Sequence, residues 1–179
     1  AIQFALTSPF ATQPVIESYP APYLVAQSGG LAGDQGIHYI DLARYIADSP
    51  IVECQAVGAN QLLPRSPRVT TVDTAAWLLR MENGMLATHT HTWCSDAWRA
   101  TAALHGHRGS VTVDLYGNKA SGIVNGKPVS YTGVLDEFQA EYRGFLEAME
   151  TRSMKPIRSP FADALETLRW TQHVIDRLM

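Results

Sequence analysis

The spacing of apolar positions divides the chain into a strand, a proline-rich excursion, a helix, a long meander of strands and two closing helices. Residues 1–8 read as a strand. Residues 9–28 carry Pro9, Pro14, Pro20 and Pro22 with two tyrosines, and predict an irregular loop across a surface. Ile37, Ile40, Leu42, Ala43 and Ile46 supply the buried side of a helix over residues 36–47, with Asp34 in the place of its N-cap. Strand-like runs follow at 51–63, 69–81, 85–94, 98–105 and 110–115, with a weaker pair around 122–130. Glu82-Asn83-Gly84-Met85 between two of these runs is a strong hairpin signal. Short turns between consecutive strands imply antiparallel pairing. At the end, Leu135, Phe138, Tyr142, Phe145, Leu146 and Met149 form one helical stripe. Phe161, Leu165, Leu168, Ile175 and Leu178 form another, started by Ser159 as N-cap with Pro160 at the first helical position.

This order predicts an α+β fold: a mostly antiparallel open sheet with helices packed on one face. The other face has no element left to cover it, so a homo-oligomer formed through the sheet is expected. The 179 residues suffice for a single domain with a real core. The chain starts abruptly at Ala1 in a strand, without an initiator Met, as a piece of a longer protein would.

Composition narrows the function classes. With 17% charged residues and a net charge of -3, nothing favours nucleic acid or an anionic membrane as partner. Cys54 and Cys94 are too few for a disulfide framework and read as buried thiols in a reducing compartment. No run is long and apolar enough to span a membrane, and no secretory leader is read, so a cytoplasmic setting is expected.

The chemistry-bearing residues cluster in Gly29-Gly30-Leu31-Ala32-Gly33-Asp34-Gln35-Gly36-Ile37-His38-Tyr39-Ile40-Asp41-Leu42. Asp34, His38 and Asp41 fall a turn apart on one helix. The helix dipole disfavours an imidazolium at its start and a carboxylate favours one, opposed influences that suit a general acid/base. Asp41 is placed to orient His38, and Gly29, Gly30 and Gly33 to let a substrate approach the backbone. The bland alternative is a capping Asp with a histidine packed beside it. Tyr19, Tyr23 and Arg44 are candidates to line a pocket, and Arg99 beside Trp98 for a ligand clamp, although such residues more often just pack or face solvent. His89 and His91 share one strand face, and His105 and His107 end the next strand. Four imidazoles on neighbouring strands suggest a metal-dependent, non-catalytic binding module as the rival reading. A half-polar sheet face explains them equally well. No G-x-G-x-x-G, P-loop or G-x-S-x-G occurs.

The run GGLAGDQGIHYIDLARY at residues 29–45 resembles the start of the C-terminal domain of the Gfo/Idh/MocA oxidoreductases. The hairpin from Asp73-Thr74-Ala75 through Leu79 to Glu82-Asn83-Gly84 is similar to that family's, with Met81 where an aromatic is common. So are the glycine-bracketed strands from Gly106 to Asp114, and the closing helices from Phe138 to beyond Ser159. The resemblance implies an NAD(P)-dependent oxidoreductase acting on a sugar, polyol or related hydroxy compound. Its N-terminal Rossmann domain, carrying NAD or NADP and a catalytic lysine, would be the missing partner. This chain would be the C-terminal substrate-binding and oligomerisation domain, with no cofactor of its own and no turnover alone. The family's D-x-x-x-H pair falls on Asp34 and His38, which makes His38 the proton-exchanging residue and Asp34 its tuner or substrate holder. Asp41 matches a further family aspartate of structural character. A purely structural role in dimerising a larger enzyme is the third reading.

Overall fold

The computed structural model describes residues 1–12, 16–133 and 136–179, apart from the side chain of Glu137. Pro14 and Leu135 lie outside these residues. Strand β1 (Ile2–Thr7) leads through a 3-10 turn (Ala21–Tyr23) and a single helical turn, α1 (Val25–Ser28), into helix α2 (Ile37–Ala47). Seven strands follow: β2 (Ile51–Ala59), β3 (Thr74–Met81), β4 (Leu86–Thr92), β5 (Arg99–Gly106), β6 (Gly109–Asp114), β7 (Lys119–Val124) and β8 (Lys127–Thr132). Helices α3 (Glu137–Thr151) and α4 (Phe161–Leu178) close the chain. The fold is α+β.

All strands belong to one sheet of order β2-β3-β4-β1-β5-β6-β7-β8. Every pairing is antiparallel except β1 with β4, where Phe4 lies opposite His89 in a parallel register. The first strand therefore inserts between two strands that the meander alone would have paired. Alternation assigns the faces. Ile2, Phe4, Leu6, Trp77, Leu79, Ala87, His89, His91, Ala100 and Ala102 are buried toward the helices. Thr88 and Thr90 on the opposite face are exposed.

Several local expectations are corrected. The runs at 51–63 and 69–81 are each longer than the strand they contain, because residues 60–73 leave the sheet to form a loop held by Asp73. This carboxylate is wholly buried and accepts hydrogen bonds from the backbone N–H groups of Gln61, Leu62 and Leu63 at 2.8–3.0 Å. Burial alone would push its pKa up, but the three N–H groups outweigh that and hold it below the usual carboxylate value. The weak pair near the end of the meander is a true hairpin, β7–β8. Asn125 and Gly126 both take positive φ (51° and 74°), as its two-residue turn requires. Pro160, not Ser159, is the N-cap of α4, and it makes no side-chain cap.

The two closing helices bury less than their stripes predict. On α4 the inward residues are Thr167, Thr171, Val174 and Ile175, whereas Phe161 and Leu168 are exposed. Two of the buried positions are threonines, which an apolar-stripe reading passes over. Thr171 is accommodated because its hydroxyl donates to the Thr167 carbonyl one turn back, at 2.9 Å. On α3, Phe138, Tyr142, Phe145, Leu146 and Met149 are all more than half exposed. The helix layer over the sheet is thus α2 and α4, joined by Arg44. Its guanidinium donates to the Asp163 carboxylate (2.6 Å), the Thr167 hydroxyl (2.7 Å) and the Asp163 carbonyl (3.0 Å).

Candidate active site

The glycine-rich segment folds as one continuous helical passage with an interruption. Ala32–Gly36 is a π-helical turn that runs directly into α2. Such turns are rare and concentrate at functional sites. Asp34 sits inside this turn and so is not the N-cap predicted for it. Close packing explains the glycines. A Cβ on Gly33 would overlap the Ser28 carbonyl oxygen, and one on Gly36 would come within 2.7 Å of the Trp77 ring. Gly30 is buried with φ 65°, and a Cβ there would overlap the Thr71 hydroxyl. Its missing side chain therefore makes room for Thr71.

Asp34 is partly buried and His38, one turn on, is exposed. Burial raises the Asp34 pKa. A hydrogen bond from Gln35 (3.4 Å) and the nearby His38 imidazole oppose that rise without cancelling it. The Asp34 carboxylate is thus close enough to feel the His38 imidazole, which is open to solvent.

The other candidates divide. Asp41 accepts a 2.7 Å hydrogen bond from the Thr167 hydroxyl and lies 3.9 Å from Arg44. It joins the α2–α4 tie, and among the described residues it makes no hydrogen bond to His38. Tyr23 is fully buried against Trp93, and its hydroxyl donates to the Phe10 carbonyl at 2.9 Å, so it is a core residue. Tyr19 is 52% exposed. Arg99 pairs with Asp96 on the surface at 2.9 Å. Cys54 is buried, Cys94 is partly buried, and both are free thiols.

The four histidines do not assemble. His89 and His91 are buried beneath the helices, while His105 and His107 are exposed at the β5–β6 turn. Among the described residues no three His, Cys, Asp or Glu side chains are grouped to hold a metal ion. Burial holds His89 well below the ordinary imidazole pKa, helped by neighbouring His91, and pushes His91 down to about 3. His89 lies between Tyr39 (ring centroids 4.4 Å apart) and Trp77 (4.3 Å).

Sequence reasoning missed Gln35. It is buried in the π turn, and its Oε1 faces the Trp93 Nε1 (3.1 Å), the His91 Nε2 (3.0 Å) and the Ser8 hydroxyl (3.5 Å). A lone Gln between Asp34 and Gly36 gives no periodic signal; only the fold brings those three donors to it.

The helix start does not fit a dinucleotide. A pyrophosphate would need free N–H groups there. The Gly30 N–H is given to the Ser28 hydroxyl (3.3 Å) and the Leu31 N–H to the Thr71 hydroxyl (2.9 Å). Among the described residues no helix is long and apolar enough to cross a membrane.

Comparison with known proteins agrees with this architecture. The chain is similar to UDP-N-acetylglucosamine 3-dehydrogenase from Acidithiobacillus ferrooxidans, with a TM-score of 0.80 and 16% identity, over 99% of this chain and 52% of that one. A levoglucosan dehydrogenase in complex with NADH and levoglucosan matches with a TM-score of 0.82 and 16% identity, over 98% and 55%. At such identity the likeness concerns the fold. The chain spans about half the length of these structures. An uncharacterized oxidoreductase of Bacillus subtilis, YrbE, is 43% identical over 63 residues, which are 35% of this chain and 18% of that protein. The family model described as the GFO/IDH/MocA C-terminal domain matches residues 4–112. That match covers more than half of the chain, and the chain belongs to the Gfo/Idh/MocA oxidoreductase family as a C-terminal domain.

Proposed function

We propose that this chain is the substrate-binding and oligomerisation domain of an NAD(P)-dependent oxidoreductase acting on a sugar, polyol or related hydroxy compound. The observation that carries the reading is the Asp34–His38 pair: a partly buried carboxylate and an exposed imidazole, side by side at a π turn. In this reading His38 is the general base for a substrate hydroxyl and returns the proton when the reaction runs backward. Asp34 holds the substrate or tunes the imidazole. Gly30, Tyr19, Tyr23 and Asp41 keep weaker claims on the substrate, since Tyr23 and Asp41 are engaged elsewhere.

NAD or NADP would supply the hydride acceptor, held by a Rossmann domain of the longer parent; in this chain the Gly30 and Leu31 N–H groups at the helix start are already engaged. The exposed apolar stripe of α3 is the surface on which such a domain would pack. The open sheet face suits a second copy of the chain: Val57 is 68% and Ile123 is 56% exposed there. The two free thiols support a cytoplasmic setting. The full-length parent, given NAD or NADP and a panel of sugars and polyols, is expected to reduce the nicotinamide in a substrate-dependent way. A folded parent inert toward every polyhydroxy compound would refute the substrate class.

A further inference from the structure

Among the described residues the amide of Gln35 is the side-chain hydrogen-bond partner of Asp34, and its orientation is dictated from the sheet. The Trp93 indole N–H is a donor and never an acceptor. The Gln35 atom 3.1 Å from it must therefore be the oxygen. The same oxygen is 3.0 Å from the His91 Nε2. Burial keeps that imidazole neutral, so its single proton must sit on Nε2. The His91 Nδ1 accordingly carries a bare lone pair, and it has no partner among the described residues. The Ser8 hydroxyl supplies a third donor. With Oε1 committed to the sheet, the NH2 end faces the other way, and it lies 3.4 Å from the Asp34 Oδ2.

We propose that Gln35 is a positioning residue for the Asp34–His38 pair: donors on β4 and the segment after it fix its amide so that its NH2 is aimed at the Asp34 carboxylate. The proposal rests on the assignment of Asp34 and His38 to the proton-transfer site. It explains why a glutamine is buried in the π turn. Leucine or methionine would orphan the indole N–H, and an ionised glutamate would set a second charge against Asp34. The surroundings leave few rivals for this role. His89 and His91 on β4 are neutral, α1 carries no titratable group, and α4 meets the glycines of this segment through Ile175. The His38 imidazole is the neighbour whose coulombic influence reaches Asp34.

The test uses the full-length parent with two variants, Gln35→Met and Trp93→Phe. The first removes the amide. The second leaves Asp34 and Gln35 in place but deletes the donor that orients the amide. Side-chain carboxyl NMR should show the Asp34 titration midpoint rising by about one pH unit in Gln35→Met, and by less in Trp93→Phe. The acid limb of the kcat/KM profile should move the same way. If Gln35→Met does not fold, Trp93→Phe carries the test. Lower thermal stability with an unmoved Asp34 midpoint and acid limb would make Gln35 merely structural and overturn the proposal. Asp34→Asn and His38→Ala serve as controls. Unchanged turnover in both would refute the proton-transfer assignment itself, which the Gln35 titration does not depend on.

Discussion

Burying two neutral imidazoles under the helix layer makes acid stability a direct readout of the sheet's inner face. His89 has no hydrogen-bond partner on either ring nitrogen among the described residues and is held between Tyr39 and Trp77. An unfolded histidine titrates near 6.5, whereas native His89 stays neutral well below that. Below pH 6.5 the unfolded state therefore binds a proton that the native state refuses, and stability falls as pH falls. Between pH 7 and pH 5 the linkage costs about 1.9 kcal/mol for one such group. His91, pushed down to about 3, loses as much over the same interval. His89→Leu removes one of the two. Urea unfolding of both proteins at pH 7 and pH 5, followed by tryptophan fluorescence, should show the stability difference shifting by about 1.9 kcal/mol in favour of the variant at the lower pH. Any constant packing penalty of leucine cancels in that comparison, as do all other titrating groups. A difference independent of pH would mean that His89 is protonated in the native protein, and the reasoning would fail.

Two further outcomes follow from the π turn. Gly33→Ala forces a methyl group into the Ser28 carbonyl oxygen, so it should lower the melting temperature by an amount corresponding to roughly 2–3 kcal/mol. Gly84→Ala has φ 83° but open space around its Cβ, and should cost only about 1 kcal/mol; equal losses at the two sites would contradict the packing account. Because burial raises the Asp34 pKa, its ionisation opposes folding. That penalty is absent below the unfolded carboxyl value near 3.8 and grows as pH rises through the native value. Asp34→Asn should therefore gain stability relative to the parent between pH 4 and pH 7, and urea midpoints showing no such gain would refute the shift.

Much of this molecule is legible in its sequence, for local reasons. The Asn83-Gly84 hairpin forms because Gly84 supplies a positive φ that few other residues tolerate, and the inner sheet face follows from strict alternation. The closeness of Asp34 and His38 is likewise a local matter, since residues four apart on a helix share a face. What stayed hidden is non-local. Insertion of β1 between β4 and β5 depends on pairings some 85 to 100 residues apart, such as Ile2 with Ala87 and Leu104. The π turn has no apolar period to announce it, so spacing alone makes Asp34 a cap. Asp41 and Arg44 bind α4 residues about 120 positions downstream, which no spacing rule reveals. The α3 stripe was legible as amphipathic, but amphipathicity does not say what will cover it.

The central claim is that His38 moves the substrate proton. Its most direct test is the single-turnover rate of nicotinamide reduction by the full-length parent, measured for the native protein and His38→Ala with substrate and cofactor both saturating. The account predicts a fall of about 10²–10⁴-fold in the chemical step, with substrate affinity largely kept. An undiminished rate in the variant would contradict it.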